Sequence, residues 1–198
     1  MEYLMKTLGI IAEYNPFHNG HAYQIAELKR KTNADFVVIA MSGDFVQRGA
    51  PAIIDKYCRA EMALLCGADL VIELPAVWAV SSAEDFAMAG VTLFDKMGCI
   101  DGICFGAESD QLPLLKSIAG VLAEEPDIYR SALSSYLKKG PFIVCIALIF
   151  GGPALFGWST TACTRASYRI LTSIVMMSVI LKQINFTKRA SVSASCLR

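Results

Sequence analysis

Acidic residues are missing from the last third of the chain. From Ile128 to Arg198 there is no aspartate or glutamate, although average composition would place roughly nine in that length. All 18 acids lie in residues 1–127 with nine of the 18 Lys and Arg, so the formal net charge of zero divides into −9 and +9. That split excludes reading the 198 residues as one uniform segment, although the length suits a single domain with a real core. Histidine is scarce: His18 and His21 are the only two. Neither an H-E-x-x-H nor a C-x-x-C occurs, which argues against zincin, zinc-ribbon and dithiol-redox chemistry. The seven scattered cysteines read instead as buried free thiols in a reducing cytosol. The apolar run near the N-terminus is short and meets Glu13 at once, so no secretory leader is expected.

What is present is alternation. "TLGIIAEY", "DFVVIAMS", "DLVIELP" and "DGICFGAES" read as strands, the third stopped by Pro75. Between and after them, "HAYQIAELKRKT", "DKYCRAEMALLCGA", "SAEDFAMAGVTLFDKMG", "DQLPLLKSIAGVLAE" and "PDIYRSALSSYLKKG" read as helices. Asp55 and Ser82 are expected N-caps, and Gly67 and Gly98 stand at helix ends. The pattern predicts an α/β fold, a parallel sheet with helices on both faces. Such sheets bind ligands at the carboxyl ends of strands near a switch in strand order. The loops after the first, second and fourth strands are therefore the places to look.

The first of these loops is "EYNPFHNGH". Its strand is expected to end near Tyr14 and its helix to begin near Asn19 or Gly20. His18 and His21 then share one face of the first helical turn. Helix N-termini favour anions. Gly20 permits close approach to the backbone, and Pro16 stiffens the turn. Two imidazoles, with an ordinary pKa of about 6.5, add donors suited to a phosphate chain. From the residues alone, three readings stand: phosphate donors, a metal pair lacking a third ligand, or surface histidines in a turn.

The string "HNGH" resembles the H-x-G-H signature of nucleotidylyltransferases. Taken with "GIIAEYNPF", "MSGDFVQRGAPA", "DLVIELP" and "FGAES" in this order, the chain from about Leu8 to Gly140 resembles the tRNA(Met) cytidine acetate ligase family. That resemblance implies a bacterial, cytoplasmic enzyme with a Rossmann-like nucleotidyltransferase fold. Such an enzyme makes acetyl-adenylate from ATP and acetate, then acetylates the wobble cytidine of elongator tRNA(Met). It implies an ATP site along the first strand-loop-helix: Ile11 and Ala12, then Glu13, Tyr14, Asn15, Pro16 and Phe17, then His18, Asn19, Gly20, His21, Ala22, Tyr23 and Gln24. Gly106 joins them from the fourth strand. His18 and His21 would be catalytic, contacting the phosphates. Magnesium is expected to accompany ATP, with no metal held by the protein itself.

Other positions are read beside these. Ser42, Asp44, Gln47 and Arg48 border the second loop, where binding residues concentrate. Glu73 ends a strand, where an unpaired buried carboxylate is costly, so it either pairs with a base or touches the ligand. Glu108 reads as a solvated turn residue. Trp78, Phe86 and Phe94 read as core or interface.

The tail, residues 141–198, changes character. "PFIVCIALIFGGPALFGWSTTACT" carries no charge over 24 residues, and "ILTSIVMMSVIL" adds 12. The first is long enough to span a bilayer, but Gly151, Gly152, Pro153 and Gly157 break it as a helix. "STTACTR" differs in spacing from the family's second phosphate signature, and no role is carried over to it. The reading favoured here is an out-of-frame or truncated end, a poorly defined tail on a nucleotidyltransferase-like domain of residues 1–140. A divergent domain end and a membrane anchor are the other two. The expectation is thus an impaired ligase whose tRNA contact is in question, with no membrane partner. The alternatives are an inactive nucleotide-binding fragment or a nucleotidylyltransferase with another acceptor.

Overall fold

Unbroken aliphatic runs suit strands covered on both faces, and the three strands at the centre of the sheet have such runs. In the computed structural model, which describes residues 5–107, 112–138 and 191–196, the chain forms β1 (Thr7–Ala12), α1 (Asn19–Thr32), β2 (Phe36–Ser42), α2 (Lys56–Leu65) and β3 (Leu70–Leu74). There follow α3 (Ala76–Ala79), α4 (Ala83–Met97), β4 (Gly102–Ala107), α5 (Leu112–Glu124), α6 (Asp127–Leu137) and β5 (Ser191–Cys196). The sheet is parallel throughout, in the order β3-β2-β1-β4-β5. Of the tail, the described part is β5. The two apolar runs and "STTACTR" lie outside the described residues, as does Glu108.

Alternate residues of β1 to β4 feed two cores. Leu8, Ile10, Val37, Ile39 and Met41 pack under Ile25 and Leu28 of α1 and Ala63 of α2. Val38, Ala40, Ile103 and Phe105 pack on the other face under Phe86, Ala87, Val91 and Phe94 of α4 and Ala119 of α5. Helices on both faces of a parallel sheet are thus confirmed.

The caps fall where the sequence places them. Asp55 Oδ1 accepts from the amides of Tyr57 and Cys58 at 2.9 and 3.0 Å. Ser82 Oγ accepts from Asp85 at 3.2 Å, and Gly98 ends α4 with φ 68°. Three aspartates, each immediately before a strand, seal the amino edge of the sheet. Asp35 accepts from the Lys6 amide, Asp101 from Thr7 and Asp69 from Val37, each at 2.7 Å.

Some expectations shift. β1 ends at Ala12, because Tyr14 turns out of the strand with φ 49°. Pro75 stops β3 but also begins the one-turn α3 as its N-cap. Phe86 and Phe94 are core, whereas Trp78 is 45% exposed. Of the described cysteines Cys104 is buried, but Cys66 and Cys99 are exposed, because both stand at helix ends.

Candidate functional site

Strand order places the loop after β1 at the switch point. β2 and β3 lie to one side of β1, and β4 and β5 to the other. The β1–β2 ladder continues to Ala12↔Met41, while the β1–β4 ladder runs from Leu8↔Gly102 to Ile10↔Cys104. β4 goes on with β5 to Ala107↔Cys196. The carboxyl ends of β1 and β4 therefore stop pairing at the switch point, where open parallel sheets generally bind their ligands. Extending the register puts Gly106 opposite the level of Ala12.

The two histidines close the helix that opens from this switch point. His18 is the N-cap of α1, and its Nδ1 accepts from the Gly20 amide at 3.1 Å. His21 Nδ1 accepts from the His18 amide at 3.3 Å, which completes a reciprocal capping box. A ring nitrogen that accepts a hydrogen bond carries no proton itself, so Nδ1 of each ring is the cap acceptor. The rings stack at 3.7 Å between centroids and 21° between planes. His21 lies in turn 4.7 Å from the ring of Tyr14 and 5.5 Å from that of Phe17. Tyr14 is buried and His18 exposed, so the four rings form a column rising from the core to the surface.

This corrects one expectation. The amides of the first turn were expected to face an anion, but Gly20 N–H is taken by the His18 ring and His21 N–H by the His18 carbonyl at 2.8 Å. The need for glycine at 20 also has a local cause: a Cβ there would sit 2.9 Å from His18 Cε1.

The remaining expected residues divide. Glu13 Oε1 accepts from the Gln47 amide at 2.9 Å, and Asn15 Oδ1 from the Ile53 amide at 2.7 Å, tying the β1–α1 loop to the β2–α2 loop. The Asn15–Pro16 bond is cis. Ile11 packs toward α4 and Ala12 toward the opposite core. On α1, Asn19 is exposed, Ala22 partly buried and Gln24 buried, whereas Tyr23 is 48% exposed. The 14 residues thus do not all face one place. Burial pushes the Tyr14 phenol well above its ordinary range, with Cys104 and Cys66 adding to the effect. The Tyr14 hydroxyl and the buried Ser42 Oγ find no hydrogen-bond partner among the described residues.

Glu73 pairs with a base: Lys56 Nζ lies 2.9 Å from Glu73 Oε2 and 3.4 Å from Asp44 Oδ2. The hydrogen bond to Glu73 holds the Lys56 ammonium above its usual range, with Asp44 contributing. A side chain on Gly43 would collide with the Glu73 carboxylate.

Arg59, which sequence reasoning missed, lies fully buried beneath both loops. Nε donates to the Ile54 carbonyl at 2.8 Å, and Nη1 to the carbonyls of Glu13 at 2.6 Å and Ser42 at 3.1 Å. Nη2 donates to the Gly43 carbonyl. Burial pulls its pKa below the usual guanidinium range, opposed by Asp44, Asp55, Glu13 and Glu73. Its acceptors come from three chain segments, so no local pattern announces it.

Among the described residues, no three His, Cys, Asp or Glu side chains come together as a metal site. No described helix is long and apolar enough to cross a membrane.

The sequence profile of the HIGH Nucleotidyl Transferase family matches residues 5–144. A tRNA(Met) cytidine acetate ligase of Thermoanaerobacter sp. (strain X514) is 54% identical over 136 residues, covering 69% of this chain and 34% of the relative. One from Clostridium novyi (strain NT) is 52% identical over the same length. The chain spans about a third of the length of these curated relatives. A crystal structure of Thermotoga maritima TmcAL bound with alpha-thio ATP superposes with a TM-score of 0.77 at 34% identity, covering 97% of this chain and 46% of that one. The chain belongs to the HIGH nucleotidyl transferase family, and over its first two-thirds it is a relative of the tRNA(Met) cytidine acetate ligases.

Proposed function

We propose that this chain binds ATP at the β1/β4 crevice and serves the first step of tRNA(Met) cytidine acetate ligation. A carboxylate oxygen of acetate attacks the α-phosphorus in line, the bond to the bridging oxygen breaks, and pyrophosphate leaves with acetyl-adenylate formed. In the second step the acetyl group passes to the wobble cytidine of elongator tRNA(Met), releasing AMP. Charge grows on the phosphate oxygens in the first step, and fixed donors aimed there lower the barrier without a protein nucleophile. The observation that carries this reading is the stacked His18–His21 pair at the start of α1, with both Nδ1 atoms committed to the helix cap.

Within the Ile11–Gln24 strand-loop-helix, the turn that carries His18 and His21 would meet the phosphates, and Gly106 would face the nucleotide from the end of β4. Magnesium would arrive on the ATP phosphates. The crystallised relative bound with alpha-thio ATP supports ATP as the nucleotide, and the curated relatives support tRNA(Met) as the acceptor. A cytoplasmic location follows from tRNA as substrate. Residues 1–140 would form the nucleotide-binding domain.

Binding and turnover are tested separately. Calorimetry with ATP, compared with His18→Ala and His21→Ala, is expected to show binding that the variants lose by about tenfold or more, one strong charged hydrogen bond each. Pyrophosphate release with ATP and acetate is then expected above the level of those variants. Binding without release favours the second reading, a nucleotide-binding fragment, and no binding removes both.

A further inference from the structure

We infer that Arg59 is a positioning residue that locks the histidine loop to the β2–α2 loop, making the two a single preformed edge of the crevice. The inference rests on the ATP-site reading above but goes beyond it, because Arg59 touches neither histidine in any contact described. Its four hydrogen bonds all end on backbone carbonyls: Glu13 in the first loop, Ser42 and Gly43 at the end of β2, and Ile54 just before α2. A fully buried cation with no carboxylate hydrogen-bonded to it among the described residues is costly unless its acceptors are rigidly placed. The planar guanidinium supplies a fork of donors that reaches all three segments at once, whereas a lysine ammonium offers a point charge on a flexible stem.

Two further bonds span the same loops without involving Arg59. These are Gln47 N–H to Glu13 Oε1 and Ile53 N–H to Asn15 Oδ1. Three of the six bonds, from Arg59 and Gln47 to Glu13 and from Ile53 to Asn15, reach the segment that leads into the histidine turn, and the other three tie Arg59 to the end of β2 and the residues before α2. Glu13 and Asn15 bracket Tyr14, whose ring carries His21, on which His18 stacks. The position of the imidazoles therefore depends on the second loop through Arg59.

Amide hydrogen exchange on the full chain tests this directly, because Gln47 and Ile53 report the clasp and neither touches Arg59. In Arg59→Lys both amides are expected to lose protection by about tenfold or more, the scale of one charged hydrogen bond. The Lys6, Thr7 and Val37 amides at the opposite edge of the sheet are expected to stay as in the wild type. ATP affinity, by calorimetry, is expected to fall by a similar factor. A merely structural role would lower protection at both edges alike, and that outcome overturns the inference. So does unchanged protection at Gln47 and Ile53, or selective loss with ATP affinity unaltered.

Asn15→Ala, which leaves Arg59 in place, keeps the question decidable if Arg59→Lys fails to fold. Gln47 is then expected to lose protection although Asn15 does not touch it, and retention of that protection sinks the idea. Should the wild type bind no ATP, the ATP-site reading fails, while the exchange pattern still decides whether Arg59 clasps the loops.

Discussion

Gly9 lies in the middle of β1, and a Cβ there would stand 2.5 Å from Cε2 of the buried Phe94 ring. The ring cannot swing away without leaving the α4 core, so Gly9→Ala is expected to cost about 1–3 kcal/mol, as overpacking does. Urea unfolding measures it, and an unchanged midpoint would show that the core yields. Tyr14 gives a pH test. Its folded pKa is raised by burial, so the folded state holds the phenolic proton where the unfolded state has released it. Stability is then full below the ordinary phenol pKa of about 10 and declines as pH rises through it toward the folded value. Tyr14→Phe is expected to remove that part of the decline while leaving stability at pH 7 within about 1 kcal/mol, since the lost hydroxyl has no partner among the described residues. Parallel decline of both proteins above pH 10 would contradict the assignment. Residues of this kind were partly legible. The histidines and Gly20 announce themselves by spacing, but the burial of Tyr14 and the role of Arg59 depend on segments distant in the chain.

At the scale of elements, α1 begins on a histidine that both caps and donates. His18→Asn can still accept from the Gly20 amide but lacks the outward N–H of the ring. It is expected to keep thermal stability near that of the wild type and lose ATP affinity, whereas His18→Ala loses both, at about 1 kcal/mol for the cap. Thermal melts read beside calorimetry separate the two roles, and equal melting of both variants would deny the cap. Element boundaries were legible where side chain and backbone agree locally, as at Asp55, Ser82 and Gly98. They were not legible where one residue has two functions. Pro75 ends β3, yet its fixed φ also suits a helix start, so α3 follows without a signal of its own. The strand-capping aspartates are visible in the sequence as "ADF", "ADL" and "IDG". Their partners are not, because each accepts from an amide at or next to the start of another strand, 29 to 94 residues away.

For the whole molecule, the two-sided sheet predicts two separable cores. Leu28→Ala on the α1 face and Phe94→Ala on the α4 face are expected to cost about 2–5 and 3–5 kcal/mol. Their costs should add, since the sheet stands between them. Denaturant unfolding of the double variant checks this, and a shortfall beyond about 0.5 kcal/mol would mean that the cores communicate. The alternation of apolar runs made this layering readable in advance. The strand order was not readable, because periodicity shows that a strand is covered and says nothing about which neighbour lies beside it.

The reciprocal bond between Thr7 and Asp101 joins positions 94 residues apart, and so bears on the order in which the chain assembles. β1 can pair with β2 as soon as Phe36–Ser42 has left the ribosome, but it waits for β4 until residues near 101 emerge. Synthesis runs at about 5–20 residues per second, so a nascent chain passes through seconds in which the histidine turn and its Arg59 clasp exist without the opposite wall. Long-range parallel pairing is slow in any case. ATP retention on ribosome-bound chains of increasing length is therefore expected to switch on only once β4 has emerged and docked, making the nucleotide a reporter of completed folding.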